Sequence, residues 1–120
     1  MTLKNQEDVF KNLNADSSLR EIQSYINEVS ILRGFSEQSV KDKLLLLMEE
    51  VGELTKAIRK SSVGASVDYN KIDNYDSVES EIADVFFMLN SVANMLNIDI
   101  FECLKEKEMI NKNRVWKINQ

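Results

Sequence analysis

Two acidic clusters sit inside the most apolar stretches of this 120-residue sequence. Glu49, Glu50 and Glu53 follow directly on Leu44-Leu45-Leu46-Leu47-Met48. Glu81 and Asp84 lead into Val85-Phe86-Phe87-Met88-Leu89. Residues three or four apart share a helix face. Glu50 and Glu53 therefore project together, with Glu49 beside Glu53, and Glu81 projects with Asp84. A helix as oily as 44–57 should be buried over most of its circumference. A buried carboxylate costs on the order of several kcal/mol unless something pairs with it. If the two helices pack antiparallel with these turns level, four or five carboxylates converge and cannot all stay ionised alone. A hard divalent cation, held by carboxylate oxygens and waters, resolves the conflict. The competing reading is a solvated acidic face, the common fate of a lone ExxE. Against it, position i+4 from Glu53 is Ala57 rather than a basic partner. Gly52, between the acids, costs about 1 kcal/mol relative to alanine in mid-helix. A close approach of another helix at Gly52 would explain it.

What is missing narrows the chemistry further. There is no histidine. That removes the commonest general base, the serine triad and the usual zinc and di-iron ligand sets. A catalytic metal here needs mainly oxygen ligands, which selects Mg²⁺, with Mn²⁺ as the alternative. Cys103 is the single cysteine, so no intrachain disulfide forms and a reducing, cytoplasmic home is expected. The net charge of -5 and pI near 4.8 disfavour a nucleic-acid polymer or a membrane surface as partner. The start, MTLKNQEDVF, has no apolar h-region, and no run approaches a membrane span.

The elements that must position the acids are helical, and the absence of proline suits them. Ser18 with Glu21 has capping-box spacing, and Leu19, Ile22, Ile26, Val29 and Leu32 follow at helical period. Gly34 is a natural stop, so the first main helix is expected over about 18–33. Ser39 caps the second, about 39–60, with its apolar stripe from Leu44 to Ile58. Leu45 and Leu46 widen that stripe, so contacts on two sides are expected. Ser62 to Asp76 is a long loop joining the two acidic motifs, either a surface linker or a functional loop. Tyr69, Ile72 and Tyr75 offer it packing groups. Ser77 caps the third helix, about 77–97, which Asn97 ends. Asp99 caps the fourth, about 100–114, with Glu102 again at capping-box spacing. Residues 1–17 are a polar arm with a short helix over Gln6 to Leu13, either docked through Val9, Phe10 and Leu13 or loosely held. The expected fold is all-α: a bundle of four main helices in one domain.

These residues carry a resemblance. E-E-V-G-E-L at 49–54 followed by E-I-A-D at 81–84 resembles the ExxE…ExxD signature of MazG-like nucleotide pyrophosphohydrolases, in the all-α NTP pyrophosphatase superfamily. Lys107, Asn111 and Arg114 resemble the family's C-terminal K…N..R pattern. Leu19 to Phe35 resembles the helix before the motif, with an aromatic just after it. The resemblance covers about 18–116, the expected catalytic domain, and one motif copy indicates the single-domain form. The 28 positions from Glu53 to Glu81 exceed the gap in many bacterial members and look closer to relatives of eukaryotic dCTP pyrophosphatases.

The resemblance implies Mg²⁺-dependent cleavage of a nucleoside triphosphate between the α and β phosphates, giving the monophosphate and pyrophosphate. Glu50, Glu53, Glu81 and Asp84 match the metal ligands, and Glu49 matches a further acid, a second-metal ligand or a water-activating base. Lys107, Asn111 and Arg114 would contact phosphates; as sequence alone they equally suit cations at a helix C-terminus. Phe35 and Trp116 could stack on a base or belong to the core. Lys56 and Arg59 read as solvated. Family active sites near subunit interfaces imply a homodimer or a dimer-of-dimers homotetramer. Two rivals remain: a relative acting on another nucleotide such as phosphoribosyl-ATP, and a non-catalytic helical interaction module with a structural cation.

Overall fold

The computed structural model describes residues 4–67 and 76–120; Tyr69, Ile72 and Tyr75, expected to pack the loop, lie outside the described residues. All regular structure among the described residues is helical. The order is α1 (Gln6–Phe10), α2 (Leu19–Leu32), a short 3-10 turn (Phe35–Glu37), α3 (Val40–Ser61), α4 (Val78–Met95) and α5 (Ile100–Asn111).

Local chemistry sets the starts. The Ser18 and Ser39 hydroxyls accept from the Glu21 and Asp42 amides, and those carboxylates accept back from the cap amides. Ser77 accepts from the Ser80 amide, and Asp99 from the Glu102 amide. Glu102 does not complete the expected capping box. Its carboxylate instead accepts from Arg20 Nη2, while Arg20 Nε donates to Asp99 Oδ2 at 2.7 Å. The stops are local too. Gly34 has φ 80°, just past α2. Asn97 has φ 57°, with the Asn97 and Ile98 amides donating to the Asn94 and Ala93 carbonyls at 3.2 and 2.9 Å. That is a Schellman closure with asparagine in the glycine position.

Helix α4 packs against both α3 and α2, while α1 and α5 each rest on α2. Among the described residues the core is small: Val9, Ile26, Val29, Ala57 and Ala93 are the buried apolar ones. Gln23 ties three elements together. Its Nε2 donates to the Ile98 carbonyl at 2.6 Å, its Oε1 accepts from the Ile100 amide at 3.0 Å, and its own carbonyl accepts from Asn94.

Three expectations are corrected. Helix α3 is not buried over most of its circumference: only Lys43 and Ala57 are buried along it, and Leu44, Leu45 and Met48 are at least half exposed. An apolar surface that wide needs neighbours on two sides, and the chain supplies its main cover, α4, on one. The radius of gyration, 18.0 Å, accordingly exceeds the roughly 13–14 Å of a compact chain this long. Second, among the described residues nothing lies within 4 Å of where a Gly52 Cβ would stand, so no described helix approaches closely there. Third, α5 stops at Asn111, leaving Arg114 in the turn beyond it.

Candidate metal centre

The pairing of α3 with α4 brings three of the sequence's acids together. Carboxylate oxygens of Glu50, Glu81 and Asp84 all lie within 4.8 Å of one another. They differ sharply in exposure: Glu81 is buried, Glu50 half-buried and Asp84 exposed. Glu81 sits one turn into α4, where the helix meets α3, while Asp84 lies three residues on at the rim. The site is therefore a funnel with one carboxylate at its base and two on its wall.

The electrostatics record the crowding. The Glu81 carboxyl is pushed up to about 7, by burial first, then by hydrogen bonding to Asp76, the Asp76 charge and the charges of Asp84 and Glu50, in that order. Burial also raises Glu50, followed by the charges of Asp84, Glu49 and Glu53, with a hydrogen bond from Glu81 opposing. Glu81 Oε2 is shielded from solvent and has no hydrogen-bond partner. A buried acceptor left open this way is costly, and a hard cation would satisfy it and the two wall carboxylates together. The all-oxygen donor set fits that group.

The other sequence-assigned acids take outer places. Glu53 is outside the triplet, about half exposed, with Lys56 Nζ 3.5 Å from its Oε2. The basic partner absent at i+4 is thus supplied at i+3. Glu49 is exposed, and both acids act on Glu50 through their charge. A cavity of about 370 Å³ opens beside the triplet, bordered by Glu50, Asp84, Phe87, Arg33, Lys43 and Phe35. Phe35 is thereby brought to the acids. Lys107, Asn111, Arg114 and Trp116 are not: α5 packs on α2, and none of the four borders this cavity. Lys107 and Arg114 are exposed, as is Trp116, while Asn111 Nδ2 donates to Glu108 at 3.1 Å.

A model of the MazG nucleotide pyrophosphohydrolase domain matches residues 38–115. The chain belongs to this family. The matched region holds α3, α4 and α5, and so every acid of the centre. The crystal structure of iMazG from Vibrio DAT 722 is similar, with a TM-score of 0.56 and 29% identity over 82% of this chain and all of that one. No curated protein matches the chain.

Two residues of this MazG domain's centre escaped the motif reading. Asp76 stands directly before the Ser77 cap and acts on Glu81 through a hydrogen bond and its charge. Its signal was slight: an acid five positions before Glu81. Lys43 sits in the charged run Lys41-Asp42-Lys43 and is 3% exposed. Its signal was positional, seven residues before Glu50 and so on the same helix face.

Proposed function

We propose that this chain is a nucleoside triphosphate pyrophosphohydrolase that uses Mg²⁺, or Mn²⁺ in its place, to cleave between the α and β phosphates. The observation that carries the reading is the convergence of Glu50, Glu81 and Asp84 within 4.8 Å, with Glu81 buried and its Oε2 unpartnered. Bound there, a divalent cation would neutralise triphosphate charge and lower the pKa of a coordinated water. The residues do the rest. Glu50, Glu81 and Asp84 would hold the cation. Glu49, exposed beside them, takes the proton of the attacking water, the part a histidine would otherwise play. Glu53 stands one turn from Glu50 and would be a further ligand to the cation. The water oxygen joins one phosphorus of the α–β bridge, the bridging P–O bond breaks, and monophosphate and pyrophosphate leave.

The uncovered faces of α3 and α4 support a homo-oligomer. Leu44, Leu45, Met48, Ile82, Phe86 and Leu89 are all more than a third exposed, a concentration of large apolar groups typical of a contact surface. In this reading Lys107, Asn111, Arg114 and Trp116, remote from their own chain's acids, contact substrate at a second subunit's site. The nucleotide is taken to be a pool metabolite, so the role is housecleaning.

The test is a panel of ribo- and deoxyribonucleoside triphosphates with Mg²⁺, followed for both pyrophosphate and orthophosphate. Pyrophosphate release from at least one is expected. No release from any would refute the enzyme reading, and orthophosphate alone would refute α–β cleavage. Mixing Glu50→Gln with Arg114→Ala chains should restore part of the activity each lacks; no restoration would place Arg114 outside a shared site.

A further inference from the structure

Lys43 is placed as surface lysines are not. It is 3% exposed, and burial lowers its pKa from the ordinary lysine value. Among the described residues no carboxylate pairs with it; its recorded contact is the Phe35 ring, whose centroid lies 5.3 Å from Nζ. A cation–π contact contributes on the order of 1–2 kcal/mol, well short of the desolvation cost of a buried ammonium. The folded chain therefore holds a lysine with no carboxylate partner among the described residues.

The surroundings indicate what compensates it. Lys43 and Phe35 form a common wall between two cavities. One, of about 370 Å³, reaches Glu50 and Asp84. The other, of about 170 Å³, lies on the far side and is bordered by Ser30 and Asn94. Each cavity carries a second uncommitted group: Gln38 Oε1 in the first and Ser30 Oγ in the second are shielded from solvent and have no hydrogen-bond partner. On α3 Lys43 stands two turns from Glu50, about 10 Å along the axis. The two cavities thus meet at an ammonium and an aromatic ring, with an acidic end on one side and a small, mainly apolar chamber bearing a few polar groups on the other.

We propose that Lys43 binds the phosphate that stays with the nucleoside, and that the chamber behind Lys43 and Phe35 receives that nucleoside. This rests on the pyrophosphohydrolase reading above. A triphosphate laid across both cavities, past Lys43, puts its terminal phosphates at the acidic, cation-holding end. The phosphate next to the sugar then falls between that end and the chamber, where an ammonium donates charge-assisted hydrogen bonds to it. Lys43 is a substrate-binding residue, separate from the cation's ligands.

The experiment measures binding of the four 2′-deoxynucleoside 5′-monophosphates and of pyrophosphate, with Mg²⁺, to the full chain and to Lys43→Met and Lys43→Gln. Calorimetry should show the preferred monophosphate bound about 30-fold or more weaker by Lys43→Met, as expected for a charged hydrogen bond, with Lys43→Gln intermediate. Pyrophosphate affinity should stay within a few-fold. Without nucleotide, Lys43→Met should melt at a higher temperature than the parent, because a buried unpaired charge is gone; a purely structural lysine would do the opposite. Unchanged monophosphate binding, or equal losses for both ligands, would overturn the proposal. If the parent still turns over a triphosphate in that case, the function reading stands without Lys43. If the parent neither binds a monophosphate nor turns over a triphosphate, both fall.

Discussion

Proton competition at Glu81 gives the sharpest quantitative test of the metal centre. Its carboxyl is held at about 7 by burial first and by Asp76, Asp84 and Glu50 after that. A cation needs the ionised form, so the proton and the metal compete for one group. At pH 6 a group of that pKa is ionised in about one molecule in eleven, and at pH 8 in about ten of eleven. Apparent Mg²⁺ or Mn²⁺ affinity should therefore rise about tenfold from pH 6 to pH 8 and level off above. Calorimetric titration across that range, or Mn²⁺ electron paramagnetic resonance, reads it directly. Glu81→Gln should bind more weakly and lose most of the slope. Asp76→Asn should move the midpoint downward, because it removes the hydrogen bond and charge that follow burial as causes. An affinity change under about twofold between pH 6 and pH 8 would refute the reasoning. So would a slope that survives in Glu81→Gln, since the titrating group would then lie elsewhere.

The same shift predicts stability without metal. An acid whose pKa is raised on folding favours the folded state only while protonated, so the metal-free chain should melt highest near pH 5 and lose stability as pH rises through about 7; melts in EDTA at pH 5.5 and 8 check this, and Mg²⁺ should restore the loss at pH 8. Met48→Lys should weaken self-association by about a hundredfold or more, because an apolar side chain contributes roughly 1.5–3 kcal/mol when buried and a two-fold interface uses it twice; light scattering across concentrations decides it, and an unchanged mass would clear α3 from the interface. Gln23→Leu should cost about 2–3 kcal/mol in denaturant unfolding, since the Ile98 carbonyl and Ile100 amide both lose their partner, with metal affinity unaffected. Asp84→Asn should abolish turnover and weaken metal binding more than Glu53→Gln, which lies outside the triplet; the reverse order would relocate the site.

What the sequence determined by itself was everything governed by a few neighbouring residues. Each cap, Ser18, Ser39, Ser77 and Asp99, bonds an amide three positions on, so the starts of α2 to α5 were legible. The stops at Gly34 and Asn97 were legible for the same reason, because left-handed backbone is a property of the residue itself. The i,i+3 spacing of the acids likewise settled which would share a face. The tertiary structure decided which of them meet. Helical period places Glu50 and Glu53 together, but the angle at which α3 rolls onto α4 turns Glu50 inward and leaves Glu53 to Lys56. Asp76 meets Glu81 from just before the Ser77 cap, outside the helix, where no helical period assigns it a face. Lys43, in a stretch of charged residues that reads as surface, is buried because Phe35 and its neighbours close over it. The apolar run Leu44 to Met48 misled in the opposite direction. Hydrophobicity says that such a surface must be covered, but not that the cover belongs to the same chain.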